Sequence, residues 1–150
     1  MTNVFSHTDV DAVIARINAL TPDTRPQWGK MNAAQMLAHC NVTYEMAYEN
    51  IHKKPNAVVR LILKLFVKEG VVGAKPYPRN SPTAPQFRMT TEKNFEAEKA
   101  RLIAYLRRTA DLGAQHFEGR ESLSFGTLSS AEWNTMFGKH LDHHLQQFGV

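Results

Sequence analysis

Three of the chain's seven histidines fall within residues 140 to 144, in the stretch K-H-L-D-H-H. Two imidazoles at i and i+4 on a helix project side by side into one volume, the spacing that helical metal sites use. On a helical wheel with Trp133 at zero, Phe137 falls at about 40°, His140 at about −20°, His144 at about 20° and Phe148 at about 60°. His140 and His144 therefore sit on the centre line of an apolar stripe, whereas His143, at about −80°, lies off it. One buried imidazole is readily satisfied by a single hydrogen bond. Two stacked in a core stripe are harder to satisfy, and protonated they would repel in a low dielectric. A shared divalent cation resolves both difficulties.

The third ligand expected from another helix is His39. The remaining candidates, His7, His52 and His116, fall in expected loops or at helix edges. Three neutral imidazoles with a position left open describe a catalytic metal site rather than a structural one. The donors suit zinc, nickel or ferrous iron. Cys40 adjoins His39, but neighbours on a helix point about 100° apart. Cys40 lies on the apolar stripe and reads as a packing residue, not a nucleophile. The chain contains no phosphate-binding glycine loop, nucleophile elbow or HExxH. Glu45, Glu49, Asp142 and Gln147 are the candidates to support the ligands. None of them stands out as a general base.

The elements that must position these residues are helical. Thr8 with Asp11 reads as a capping box for a first helix over 8–20, with Val10, Val13, Ile14, Ile17 and Leu20 at helical spacing. Asn32 and Gln35 cap a second helix running to about residue 50, with Met36, Cys40, Tyr44, Ala47 and Ile51 along one stripe. A third helix is expected over 91–112, ending at Gly113, with Phe95, Leu102, Ile103, Leu106 and Ala110 inward. Ser129 and Glu132 cap a fourth, over 130–148. The stretch between, from 119 to 126, reads as a glycine-bearing loop.

The connection between the second and third helices, roughly forty residues, is far longer than a bundle turn. It contains one short apolar helix over 57–68, whose polar residues are Arg60, Lys64 and Lys68. Such a helix is expected to hide its surface under the bundle or against a second chain, which makes a homodimer one expectation. The His positions add a topological constraint. His39 lies roughly 10 Å from the start of its helix, and His140 and His144 lie roughly 12 and 6 Å from the end of theirs. These depths coincide only if the second and fourth helices run antiparallel. The expected fold is one all-α domain over 1–150, a four-helix bundle of up-down-down-up order with a long crossover between helices two and three.

Bulk composition limits the alternatives. The net charge of +4, from 18 basic and 14 acidic residues, is mild. Much of the basic excess lies between Lys53 and Arg88; without a nucleic-acid fold signature it reads as a solvated face, so no nucleic-acid partner is expected. The single cysteine rules out an internal disulfide. No apolar run approaches membrane-spanning length and the first residues lack a signal-peptide layout, so the expectation is a cytoplasmic protein without a membrane partner.

The stretches W-G-K-M-N-A-A-Q-M-L-A-H-C at 28–40 and E-W-N-T-M-F-G-K-H-L-D-H-H-L-Q-Q-F-G-V at 132–150 resemble the DinB/YfiT-like superfamily of metalloenzymes. They are closest in look to a branch catalogued as a domain of unknown function. The N-S-P-T-A-P loop at 80–85 is also similar to that branch. The resemblance implies one His from the second helix and an H-x-x-x-H pair from the fourth, here His39, His140 and His144. It implies a zinc or nickel ion and chemistry of the hydrolase or thiol-transferase kind. The partners implied are a small-molecule substrate, a low-molecular-weight thiol among the candidates, and a second subunit. His143 and the helix over 57–68 depart from the superfamily pattern. The alternative from another class is a non-catalytic helical ligand-binding or interaction module that keeps the His cluster.

Overall fold

In the computed structural model, which describes residues 2–150, Ser6 rather than Thr8 starts the first helix, α1 (His7–Asn18). Two S/T-x-x-D patterns overlap here, and the earlier one forms: Ser6 Oγ accepts from Asp9 N while the Asp9 carboxylate takes Asn3 N. Val10, Val13, Ile14 and Ile17 still face inward. The second helix, α2 (Ala33–Tyr48), begins with both halves of its capping box made: Gln35 N donates to Asn32 Oδ1 at 2.8 Å and Asn32 N to Gln35 Oε1 at 3.1 Å. It ends at Tyr48, so Ile51 leaves the expected stripe and is 67% exposed.

The crossover holds α3 (Ala57–Ile62), a π-helical turn (Leu63–Val67), α4 (Lys68–Val72) and a 3-10 turn (Pro85–Phe87). Capped by Asn94, α5 (Phe95–Phe117) passes through Gly113, whose φ of +69° breaks the helix where a stop was expected. One further turn brings Phe117 into the core. The following residues are not a loop. They form a hairpin of β1 (Arg120–Ser122) and β2 (Gly126–Leu128), antiparallel, with Glu121 opposite Thr127. Last comes α6 (Ser130–Gln147), with the Ser129/Glu132 capping box present. The structure is thus mostly helical, with one small sheet. Among the described residues no helix is long and apolar enough to cross a membrane.

Contacts along the helices give their relative directions. Asn41 donates to Glu98, Arg101 to Glu45 and Tyr105 to Glu49, so α2 and α5 advance together. His39 meets His140 and Tyr44 meets Phe137, so α2 and α6 run opposite ways. Neighbours that advance together cannot be joined by a tight turn, and residues 49–94 supply the return. At the centre, Phe137, Tyr44 and Tyr105 stack in sequence, with centroids 4.6 and 5.7 Å apart.

The crossover helix excludes one of its two expected positions. It does not hide its apolar face under the bundle. Leu61, Leu65 and Phe66 are 56%, 64% and 80% exposed, while the ion pairs Arg60–Glu121 and Lys68–Glu132 draw two of its three cations inward and leave Lys64 exposed. Two carboxylates on β1 and α6 have selected the cationic side of the helix.

Candidate metal centre

The stripe of α6 carries Trp133, Phe137, Leu141 and Leu145 into the core, and that rotation also brings His140 and His144 inward. Across from them α2, buried along most of its length, brings in His39. The ligand-capable atoms of His39, His140 and His144 all lie within 4.8 Å of one another. Nε2 of His39 and Nε2 of His140 are 3.0 Å apart. His143 stays outside the cluster, packing edgewise on Trp28 and Tyr77 with centroids 5.8 and 5.6 Å away.

What holds each ring fixes which nitrogen is free. His39 Nδ1 lies 2.8 Å from the Phe87 carbonyl, which can only accept, so Nδ1 carries the proton and Nε2 offers a lone pair. The side-chain nitrogen of Gln147 donates to the Trp28 carbonyl at 2.7 Å, which turns its Oε1 toward His144 Nδ1, also at 2.7 Å. His144 Nδ1 therefore donates, and its Nε2 is free as well. His140 Nδ1 meets Thr43 Oγ1 at 3.0 Å. A hydroxyl both donates and accepts, so Thr43 serves either tautomer of His140. This donor set fits a divalent metal: two lone pairs are committed to the cluster and the third is available by one rotation of a hydroxyl.

Burial keeps the rings neutral. Desolvation, opposed by the Phe87 carbonyl, lowers the pKa of His39. Desolvation and then the neighbouring imidazoles push His140 well below the usual range. The same causes take His144 down to about 3. The metal-free protein is accordingly expected to lose stability as pH falls below 6.5, the ordinary His value. There the unfolded chain binds protons that the folded cluster refuses, so acid favours unfolding down to the folded values. Urea midpoints of EDTA-treated protein at about pH 7.5 and pH 5 check this, and equal midpoints would contradict it.

Of the four residues expected to support the ligands, Gln147 does so. Glu45 is engaged by Arg101 and His52, Glu49 by Tyr105, and Asp142 by Arg16 and Thr2. Thr43 and the Phe87 carbonyl were not singled out as partners. A main-chain oxygen has no side-chain signal to find, but Thr43, one turn beyond His39, could have been read as a partner. Phe87 and Tyr77 add aromatic walls, with ring centroids 5.7 and 6.4 Å from His140. Lys139, next to His140, donates to the carbonyls of Gly70, Gly73 and Lys75 and so fastens the crossover beside the cluster. A polar cleft of about 250 Å³, lined by Val42, Glu45, His52, Gln86, Arg88 and Arg101 among others, adjoins the Pro85–Phe87 turn. A larger, mainly apolar cleft, about 340 Å³, lies at the far end of α6 beside Phe5 and Asn134, away from the histidines.

Gln147→Leu is expected to weaken metal affinity about 10- to 100-fold, because it frees His144 to rotate and leaves the Trp28 carbonyl without its donor. Competition with a chelator of known affinity measures this; unchanged affinity would mean that Gln147 does not orient His144. Gly29 guards the same contact, since a Cβ there would meet Gln147 Nε2 at 2.5 Å.

Comparison with known proteins adds a family and no chemistry. The model of a family described as "Protein of unknown function (DUF1569)" matches residues 2–149. No curated protein and no solved structure matches the chain.

Proposed function

We propose that this chain, which belongs to the DUF1569 family, is a metal-dependent enzyme of the DinB/YfiT-like kind, with His39, His140 and His144 holding one divalent ion. The observation that carries the reading is the convergence of three imidazoles whose Nδ1 atoms each have a partner of their own. Zinc or nickel suits three neutral nitrogen donors best, with ferrous iron next. The order of contacts along α2, α5 and α6 supports an up-down-down-up four-helix bundle as its frame.

When bound, the ion would supply Lewis acidity that lowers the pKa of a water or a low-molecular-weight thiol in its remaining position, suiting a small-molecule hydrolase or thiol transferase. The chain's own residues do the rest. The Phe87 carbonyl and Gln147 set the tautomers of His39 and His144. Thr43 Oγ1 accepts a hydrogen bond from His140 Nδ1–H when Nε2 is needed as a lone-pair donor. The Phe87 and Tyr77 rings keep water from one side of the cluster.

One observation favours a non-catalytic helical ligand-binding module instead. The 3.0 Å contact between His39 and His140 can be a plain hydrogen bond, with Thr43 donating to His140 Nδ1. Elemental analysis of protein purified without a His tag separates the readings. About one zinc, nickel or iron per chain supports the metalloenzyme. Metal-free protein whose melting does not respond to added zinc or nickel favours the module.

A further inference from the structure

The helical segment made by α3, the π turn and α4 is amphipathic in the reverse sense. Val58, Leu61, Ile62, Leu65 and Phe66 follow the i, i+3, i+4, i+7, i+8 pattern of a core-facing stripe, yet each is at least half exposed. The inward side is cationic. Arg60 and Lys54 meet Glu121 at 2.6 and 3.1 Å, and Lys68 meets Glu132 at 2.7 Å. Lys139 on α6 fastens the far end through the Gly70, Gly73 and Lys75 carbonyls. The segment is anchored with its apolar stripe outward, not loosely draped.

We propose that this stripe is the face through which two copies of the chain associate. The five side chains present on the order of 500 Å², at the upper end of what a monomer leaves exposed. Two copies would bury on the order of 1,000 Å² between them, the threshold of a specific interface. None of the five is charged, so pairing like with like about a two-fold axis desolvates no ion. A lipid surface is a poorer match. A helix lying on a membrane uses the cations beside its apolar face to reach anionic headgroups, and here Lys54, Arg60 and Lys68 are paired with carboxylates of their own chain, which leaves Lys64 as the exposed cation of that stripe. An interface at the low end of the size range is expected to be weak and reversible, which calls for a test at micromolar and higher protein concentrations.

Sedimentation velocity of the untagged full chain over about 1 to 100 μM tests the proposal. The wild type is expected to shift from monomer to dimer across that range. The double variant Leu65→Glu/Phe66→Glu is expected to raise the dissociation constant at least about 100-fold. Leu112→Glu, at the exposed hydrophobic residue of α5, should leave association unchanged. Circular dichroism confirms that the double variant keeps its helices. Three outcomes overturn the proposal: a wild type that stays monomeric throughout, a double variant that dimerises like the wild type, or monomers that instead co-sediment with phosphatidylcholine/phosphatidylserine vesicles.

Discussion

His140→Ala and His144→Ala are each expected to leave the purified, untagged protein without metal, while His143→Ala retains it. The first two substitutions remove one of three converging donors, a loss expected to exceed the ~10- to 100-fold that follows from losing an outer partner. The His143 ring packs edgewise on Trp28, Tyr77 and His144, but its nitrogens are not among the ligand atoms that converge. Metal per chain from mass spectrometry, with calorimetric titration of the chelated protein, gives the comparison. If His143→Ala alone empties the site, the ligand assignment is wrong. His39→Ala belongs with the first pair, and Thr43→Val provides a finer test. It removes the partner of His140 Nδ1 but leaves every donor in place, so affinity should fall by the smaller, outer-partner amount.

Phe137→Ala is expected to cost about 3 to 5 kcal/mol, the range for emptying a buried aromatic site. Phe137 is 1% exposed. It stacks on Tyr44 at 4.6 Å and 5°, contacts Trp133 at 5.4 Å and meets Phe117 edge-on at 5.8 Å. The cavity would open one helical turn before His140, where α2, α5 and α6 share their packing. Urea unfolding of the metal-free protein measures the effect without a contribution from bound metal. A loss under about 1 kcal/mol would mean that the stack is not the packing centre of the domain. Phe66→Ala, at a side chain 80% exposed, is the natural contrast and should change monomer stability by less than ~0.5 kcal/mol.

The sequence was most legible where periodicity and local chemistry agree. Asn32 and Gln35, or Ser129 and Glu132, must sit three residues apart to cap a helix, and both boxes form. The rotation of α6 followed from the turn of about 100° per residue alone, so the separation of His143 from the other two could be read in advance. Legibility ended where two local signals competed or where partners were distant. Ser6 and Thr8 offer equivalent caps, and residues outside the helix decided between them: Asp9 also holds Asn3 N. Strands of three residues are too short to display an alternation, which hid the β1–β2 hairpin. Gly113 does break helical geometry, but Phe117 is drawn into the core beyond it, so the chain resumes its turn. The crossover helix left its direction open for a different reason. Its pattern identifies an apolar side, but not which way that side faces, and Glu121 and Glu132 lie more than fifty residues downstream.

His39 and His140 are separated by 101 residues along the chain. No early fragment of the protein can therefore contain the site. During synthesis from the N-terminus, α2 emerges long before α6, and its inward histidine must wait for that helix. Closing that loop costs under about 0.5 kcal/mol more than closing the 61-residue loops of Tyr48 with Thr109 and Tyr44 with Tyr105, so it is the order of emergence, not loop entropy, that puts the site after these contacts. A metal ion has nothing to grip in the half-made chain. It can act only as a latch on the finished one, stabilising the native state by mass action and slowing its unfolding without guiding its assembly.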